Sequence, residues 1–344
     1  MRHASGVLPA DAPDPRAVLA AFGLAGHPAA SAAVAGGWSN RVLRLRTTDD
    51  DLAVKEIRNP WGVAPWRDWL DEGWRLERAA LAAGIAGAEP LVASDGGCLV
   101  EVPRADASGS CWVRAHRWVE GDAVPADPVD PAVARWAGAA LATVHRLALQ
   151  PLRPSLYAGL TGAATADAWA ELVARAHDAG VAGARELEAA EPVVRRAGAL
   201  LEPRDDADNV LVHGDLDQRN LLLAGSGPVL LDWDVVVPAV PSHDLARAAL
   251  TLASWRDPHV ARAVVDGHAD VAGPQSTLCP TDLGPALAAR LGWVRFTVDR
   301  ALTVAARDDV DDAGHEVVSL LKDAARRVEV SEQIGDWLEG RSLT

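Results

Sequence analysis

Three residues in one short stretch have the types and spacing for phosphoryl-transfer chemistry. Residues 211–234 read LVHGDLDQRNLLLAGSGPVLLDWD, with Asp215, then Asn220 five positions on, then Asp232. Two apolar runs, Leu221–Leu223 and Val229–Leu231, flank the turn-forming Ala-Gly-Ser-Gly-Pro, which predicts a hairpin. His213, Asp215 and Asn220 then precede its first strand, and Asp232 and Asp234 follow its second. The hairpin returns acids and an amide to one edge. Transfer of a phosphoryl group needs such a set: a carboxylate beside the attacking hydroxyl and oxygen ligands for Mg²⁺.

HGDLDQRN followed by LDWD resembles the catalytic and metal-binding segments of the aminoglycoside phosphotransferase family, small-molecule kinases with a protein-kinase-like fold. The resemblance implies an α+β chain in two lobes, a small antiparallel-sheet N-lobe with one main helix and a larger, mostly helical C-lobe. The nucleotide-binding lobe is expected over 1–118 and the catalytic and substrate-binding lobe over 119–344. It implies ATP and Mg²⁺ as cofactors, with Asp215 taking the acceptor's proton and Asn220 and Asp232 holding the metal. Lys55 in LAVKEI takes the place of the lysine that reaches the α- and β-phosphates, and Gly36-Gly37 with Ser39 and Asn40 takes that of the turn covering ATP. His116, Trp118 and Val119 fall in the linker that meets the adenine edge. His213 is expected to shape the catalytic loop, and Asp244 to brace it. The wording departs from the commonest family pattern at Asp217, Gln218 and Arg219, where His, Pro and Gly are often seen; Arg219 adds a positive charge beside the site.

A lysine inside an apolar strand is costly to bury without an anionic partner. That partner is expected on the helix that starts near Pro65 and closes at Gly84. At about 100° per residue, Glu77 shares a face with Trp66, Leu70, Trp74 and Leu81, whereas Glu72 points to the opposite side. Glu77 is therefore the expected partner of Lys55, with Glu72 as the alternative.

The elements that must position these groups are legible by period and punctuation. Asp14-Pro15 starts a short helix stopped at Gly23, and 31–57 reads as strand, turn and strand. Leu91–Ala93, Cys98–Val102 and Cys111–Trp118 complete a mainly antiparallel sheet of about five strands. From Pro131 the pattern turns helical, and His145 reads as a packed structural histidine rather than a base. Residues 166–200 read as long and helical, interrupted at Pro192. Ser242 is the expected cap of the helix carrying Asp244, and 258–339 reads as three or so helices.

Composition sets the outer bounds. The 344 residues carry a formal charge of −15, which argues against a nucleic-acid partner. Cys98, Cys111 and Cys279 lack metal-ligand spacing and read as buried reduced thiols. With no apolar leader or spanning run, the expectation is a cytoplasmic protein with a small-molecule hydroxyl substrate and no membrane partner. No P-loop GxxxxGK[ST] occurs. Two other classes stay open: a non-catalytic, kinase-like binding protein, and a metal-dependent hydrolase using His213, Asp215 and Asp217. The hydrolase reading leaves Lys55, Asn220 and Asp232 without a role. Within the leading class, the acceptor is an aminoglycoside or related antibiotic, a sugar, an amino alcohol or a metabolite.

Overall fold

The computed structural model describes residues 9–34, 40–58, 65–125, 127–157, 166–181, 183–199, 209–273, 278–286 and 329–336, with 288, 291, 292, 295, 298, 326 and 327. Gly36, Gly37 and Ser39 lie outside these residues, as do Trp293, Phe296, Leu302, Val317–Leu321 and the acids Asp299, Asp308, Asp309, Asp311, Asp312 and Glu316. The chain forms two compact units. One comprises Met1–Val124, Pro151–Leu156 and Gln218–Val236; the other comprises Pro125–Gln150, Tyr157–Asp217 and Val237–Thr344.

In the first unit, Asp14 caps helix α1 (Pro15–Ala21) by accepting the Arg16 amide, with Pro15 at the first helical position. Strands β1 (Ala30–Val34), β2 (Arg41–Arg46) and β3 (Asp51–Ile57) follow, then helix α2 (Trp66–Ala82), β4 (Val100–Pro103) and β5 (Ser110–Arg117). The five strands make one antiparallel sheet in the order β1-β2-β3-β5-β4. Leu91–Ala93 is not a sixth strand; it approaches the sheet through a single bridge between Pro90 and His116.

The period-two alternation of β3 and β5 decides what each sheet face does. Leu52 and Val54 join Cys111, Val113 and Ala115 in an apolar core with Val18, Leu19 and Phe22 of α1. The intervening residues, Lys55 on β3 and Arg114 and His116 on β5, share the opposite face. Lys55 is paired in register with Arg114 and Ala53 with His116.

The hairpin of the sequence reading is present as β8 (Leu221–Ala224) and β9 (Gly227–Leu230), which follow β6 (Gly121–Ala123) and β7 (Val210–Val212) in the chain. Strand β6 pairs with β8, and the Leu230 amide donates to the Ala86 carbonyl. These bonds explain why the first unit runs to Val124 and takes in Gln218–Val236, whereas the sequence reading divides the chain once, after residue 118. Helix α2 also packs against this returning segment. A Cβ on its Gly73 would lie 2.4 Å from the Trp233 carbonyl oxygen, so only glycine permits the approach. The Trp69 indole donates to the Val236 carbonyl.

The second unit is helical. Helix α3 (Pro131–Arg146) is capped by Asp130; α4 (Ala166–Asp178), α5 (Ala184–Ala189) and α6 (Glu191–Ala199) follow. The breaks fall at Gly180, with φ +67, and at Gly183 and Ala190, so Pro192 sits in the first turn of α6 rather than interrupting a helix. Strand β10 (Val237–Ala239) pairs with β7 and leads into α7 (Pro241–Leu252), and α8 (Pro258–Ala272) starts behind the Asp257 cap. Val240, not Ser242, occupies the N-cap of α7; Pro241 sets the first turn and the Ser242 hydroxyl donates to Asp282. Helices α3 and α8 touch backbone to backbone. A Cβ on Gly138 would lie 1.9 Å from the Val264 carbonyl oxygen, and one on Gly267 1.9 Å from that of Arg135.

Cys98 and Cys111 are buried thiols, as read from the sequence, but Cys279 is exposed. Among the described residues no helix is long and apolar enough to cross a membrane.

Candidate active site

In the first unit two aspartates converge on Lys55. Its ammonium lies 2.7 Å from Asp232 Oδ1 and 2.7 Å from Asp234 Oδ2. Asp232 follows β9 with φ +63, a left-handed conformation that aspartate tolerates better than most residues. The turn there sends both carboxylates of Asp-Trp-Asp to one ammonium. Asn40 adds a hydrogen bond from Nδ2 to Asp234 Oδ2, at 3.2 Å.

Neither glutamate of α2 meets Lys55. The guanidinium of Arg114, directly across the ladder from Lys55, takes Glu77 Oε2 at 2.7 Å and Asp234 Oδ1 at 2.6 Å. His116 Nε2 lies 3.0 Å from Glu77 Oε1. The expected Lys55–Glu77 pair is therefore replaced by a chain running Asp232, Lys55, Asp234, Arg114, Glu77, His116. Two cations share one sheet face, and each bridges two acids: the Lys55 ammonium joins Asp232 and Asp234, and the forked Arg114 guanidinium joins Glu77 and Asp234. Glu72, expected to face outward, is buried as well: the Leu152 and Arg153 amides donate to its Oε1 and Arg75 to its Oε2.

Charge in this chain is held against burial. Burial works against the charged form of Lys55, but Asp232 and Asp234 outweigh it and raise its pKa above the ordinary lysine value. For Arg114, burial is likewise outweighed by Glu77 and Asp234. Burial favours the neutral acid at Asp234, yet Lys55 and Arg114 bring its pKa down to about 2. Glu77 is lowered too, with Arg114 and then His116 overcoming its burial.

Residues assigned to the adenine linker have defined surroundings. The His116 side chain is committed to Glu77 on the α2 side of the sheet. Trp118 donates its indole N–H to Glu120 and lies under the Arg44 guanidinium, 4.2 Å from its ring centre. Val119 follows β5 in the connection to β6. Asn220 is buried at the start of β8, and its carbonyl accepts the Leu231 amide at 2.9 Å, so the two hairpin ends are tied next to Asp232.

The donor set suits a hard cation. Asp232, Asp234 and the Asn220 amide oxygen are hard oxygen donors, and both carboxylates already converge on one positive centre, the Lys55 ammonium. Among the described residues no group of three or more His, Cys, Asp or Glu forms a metal centre.

In the second unit the loop after β7 is bonded residue by residue. His213 is fully buried, and its Nδ1 accepts the Asp215 amide at 3.3 Å. Gly214 has φ +74, and its amide donates to Asp244 Oδ1 at 3.2 Å. Asp244 Oδ2 in turn accepts from His145 Nε2 at 3.1 Å, and His145 Nδ1 lies 3.0 Å from His268 Nε2. Burial, then the neighbouring His145, lowers the His268 pKa to about 4. Burial works against the charged form of Asp244, but the His145 hydrogen bond together with the charges of His145, His213 and Arg247 outweighs it and keeps its pKa below the ordinary aspartate value. His145 is thus a structural link between α3 and α7. Arg247 was not marked in the sequence; its Nη2 donates to Asp215 Oδ1 at 2.8 Å. Its place three residues after Asp244 was the available signal.

Residues 32–277 match the model of the phosphotransferase enzyme family. Among solved structures, the fold is similar to a spectinomycin phosphotransferase in complex with ADP and spectinomycin, at 14% identity and TM-score 0.64 over 92% of this chain and 95% of that one. It is similar to an aminoglycoside phosphotransferase from Alicyclobacillus acidocaldarius, at 18% identity and TM-score 0.61 over 98% of each chain. A microcompartment-associated aminopropanol kinase matches at 15% identity and TM-score 0.57, over 92% of this chain and 94% of that one. At these identities the likeness is one of fold, and that fold is protein-kinase-like, as the sequence reading expects. A search of curated proteins found no match.

Proposed function

The chain belongs to the phosphotransferase enzyme family, and from that premise we propose that it moves the terminal phosphoryl group of ATP, with Mg²⁺, to a hydroxyl of a small molecule. The observation that carries this reading is Lys55, a strand lysine whose ammonium is held at 2.7 Å by both carboxylates of Asp232-Trp-Asp234. A cation and oxygen ligands converging in this way supply what a polyphosphate and its metal require. A site built only to hold an uncharged ligand has no need of them.

In this reading Lys55 orients the phosphates, and Asn220 and Asp232 are the residues that would hold Mg²⁺, whose charge offsets that of the phosphates. Asp215 accepts the hydrogen bond of the acceptor hydroxyl and takes its proton late, because the transition state is loose and positioning carries most of the rate. Gly36, Gly37, Ser39 and Asn40 cover the nucleotide, and the backbone of 116–119 meets the adenine edge. His213 and Asp244 hold the loop. The acceptor classes admitted are an aminoglycoside or related antibiotic, a sugar, an amino alcohol and a metabolite.

The test is Mg²⁺-dependent ADP formation from ATP across a panel of aminoglycosides, macrolides, amino sugars and amino alcohols. Stimulation by one class, abolished in Lys55→Met, is the expected outcome. Nucleotide binding with no stimulation by any acceptor would favour a binding protein.

A further inference from the structure

We propose that Arg247 is a positioning residue for Asp215, acting on the orientation of the carboxylate that receives the acceptor's proton. The inference rests on the reading of Asp215 given above and adds a residue to it. Helix α7 presents Asp244 and Arg247 three positions apart, hence on one face. Both reach the loop that follows β7. Asp244 Oδ1 accepts the Gly214 amide at 3.2 Å, and Arg247 Nη2 donates to Asp215 Oδ1 at 2.8 Å.

The division of labour follows from which atoms are held. The Gly214 amide bonds Asp244, and the Asp215 amide bonds His213, so those two contacts fix backbone. Neither sets rotation of the Asp215 side chain. The Arg247 bond acts on that rotation directly, because it ends on a carboxylate oxygen.

An ordinary surface ion pair is the competing account, since the two side chains keep 36% and 26% of their exposure and such pairs contribute little to stability. The accounts differ in what they move. A surface pair affects stability slightly or not at all, whereas an orienting contact affects the chemical step. In that step the acceptor oxygen bonds the γ-phosphorus, the bond from that phosphorus to the β,γ-bridging oxygen breaks, ADP departs with those electrons, and the acceptor's proton passes to Asp215. Misplacing the proton acceptor by about 1 Å can cost on the order of 10²-fold in rate.

The experiment uses the full-length protein with ATP, Mg²⁺ and the most stimulating acceptor of the panel, comparing Arg247→Ala, Arg247→Lys and Asp215→Asn. Arg247→Ala is expected to lose about 10²-fold in kcat with acceptor and ATP KM little changed and the melting temperature unaltered. Arg247→Lys restores part of the loss, and guanidinium ion at non-denaturing concentration restores part of it in Arg247→Ala but none in Asp215→Asn. A kcat for Arg247→Ala within about threefold of the unmodified protein, with Asp215→Asn inactive, would overturn this inference and leave the function reading intact. A loss in kcat that tracks a lowered melting temperature and shows no guanidinium rescue would overturn it as well. An active Asp215→Asn would remove both.

Discussion

Asp215→Asn is expected to fold normally and to lose roughly 10²- to 10⁴-fold in kcat, the range for removing a positioned proton acceptor. The fold is expected to survive because the loop is held through its backbone: the Gly214 amide on Asp244 and the Asp215 amide on His213 do not involve the replaced carboxylate. Asparagine also keeps an oxygen able to accept from Arg247. What it loses is the charge and basicity that receive a proton. The loss should fall on kcat more than on KM for either substrate, because the interaction strengthens in the transition state. Steady-state kinetics paired with a thermal melt read both halves. Turnover within a few-fold of the unmodified protein would contradict the role given to Asp215.

Arg114→Met is expected to have the largest effect on stability. The Arg114 side chain is 2% exposed and bonds Glu77 and Asp234 at 2.7 and 2.6 Å. Methionine fills most of the volume but leaves Glu77 buried with His116 as the neighbour holding it, and leaves Asp234 dependent on Lys55 and Asn40. Breaking a buried pair by removing one partner costs about 3–5 kcal/mol, since the other charge stays buried. A urea midpoint with unchanged slope measures the loss. Removing the stranded acid as well, in Arg114→Met with Glu77→Leu, should recover part of it, because contacting residues do not add. A loss below about 1 kcal/mol in the single variant would mean that the chain of ion pairs is not holding the α2 side of the sheet together.

The difference between this network and the one expected from the sequence shows which information is local. Asp215, Asn220 and Asp232 lie within eighteen positions, and the Gly-Ser turn between apolar runs fixes the hairpin by itself. The hairpin was legible because turn chemistry within the segment decides it. So were the starts of α1 and α3, where an aspartate precedes a proline. Which acid meets Lys55 is a tertiary question. It depends on Arg114, 59 positions on, which strand pairing sets directly opposite Lys55.

A signal for it was present in CWVRAHR. Arg114 and His116 alternate with Val113 and Ala115, so two basic groups face the side on which a buried lysine already lies, and one glutamate cannot serve all three. Asp234, two residues beyond Asp232, supplies the missing charge. Glu72 escaped for another reason. Helical periodicity placed it outward, but residues 151–156 return to cover it, and nothing local to α2 announces a segment some eighty residues away. Arg247 likewise reads as one more helix-surface arginine until the loop it touches is in place.

The central claim, transfer of phosphate from ATP to an organic hydroxyl, is tested most directly by following ³¹P resonances in a mixture of protein, ATP, Mg²⁺ and the stimulating acceptor. The account predicts equal growth of ADP and of a new phosphomonoester signal, with no matching rise in inorganic phosphate and with growth slowed at least about 10²-fold in Asp215→Asn. ADP accompanied by inorganic phosphate alone would identify a hydrolase and contradict it.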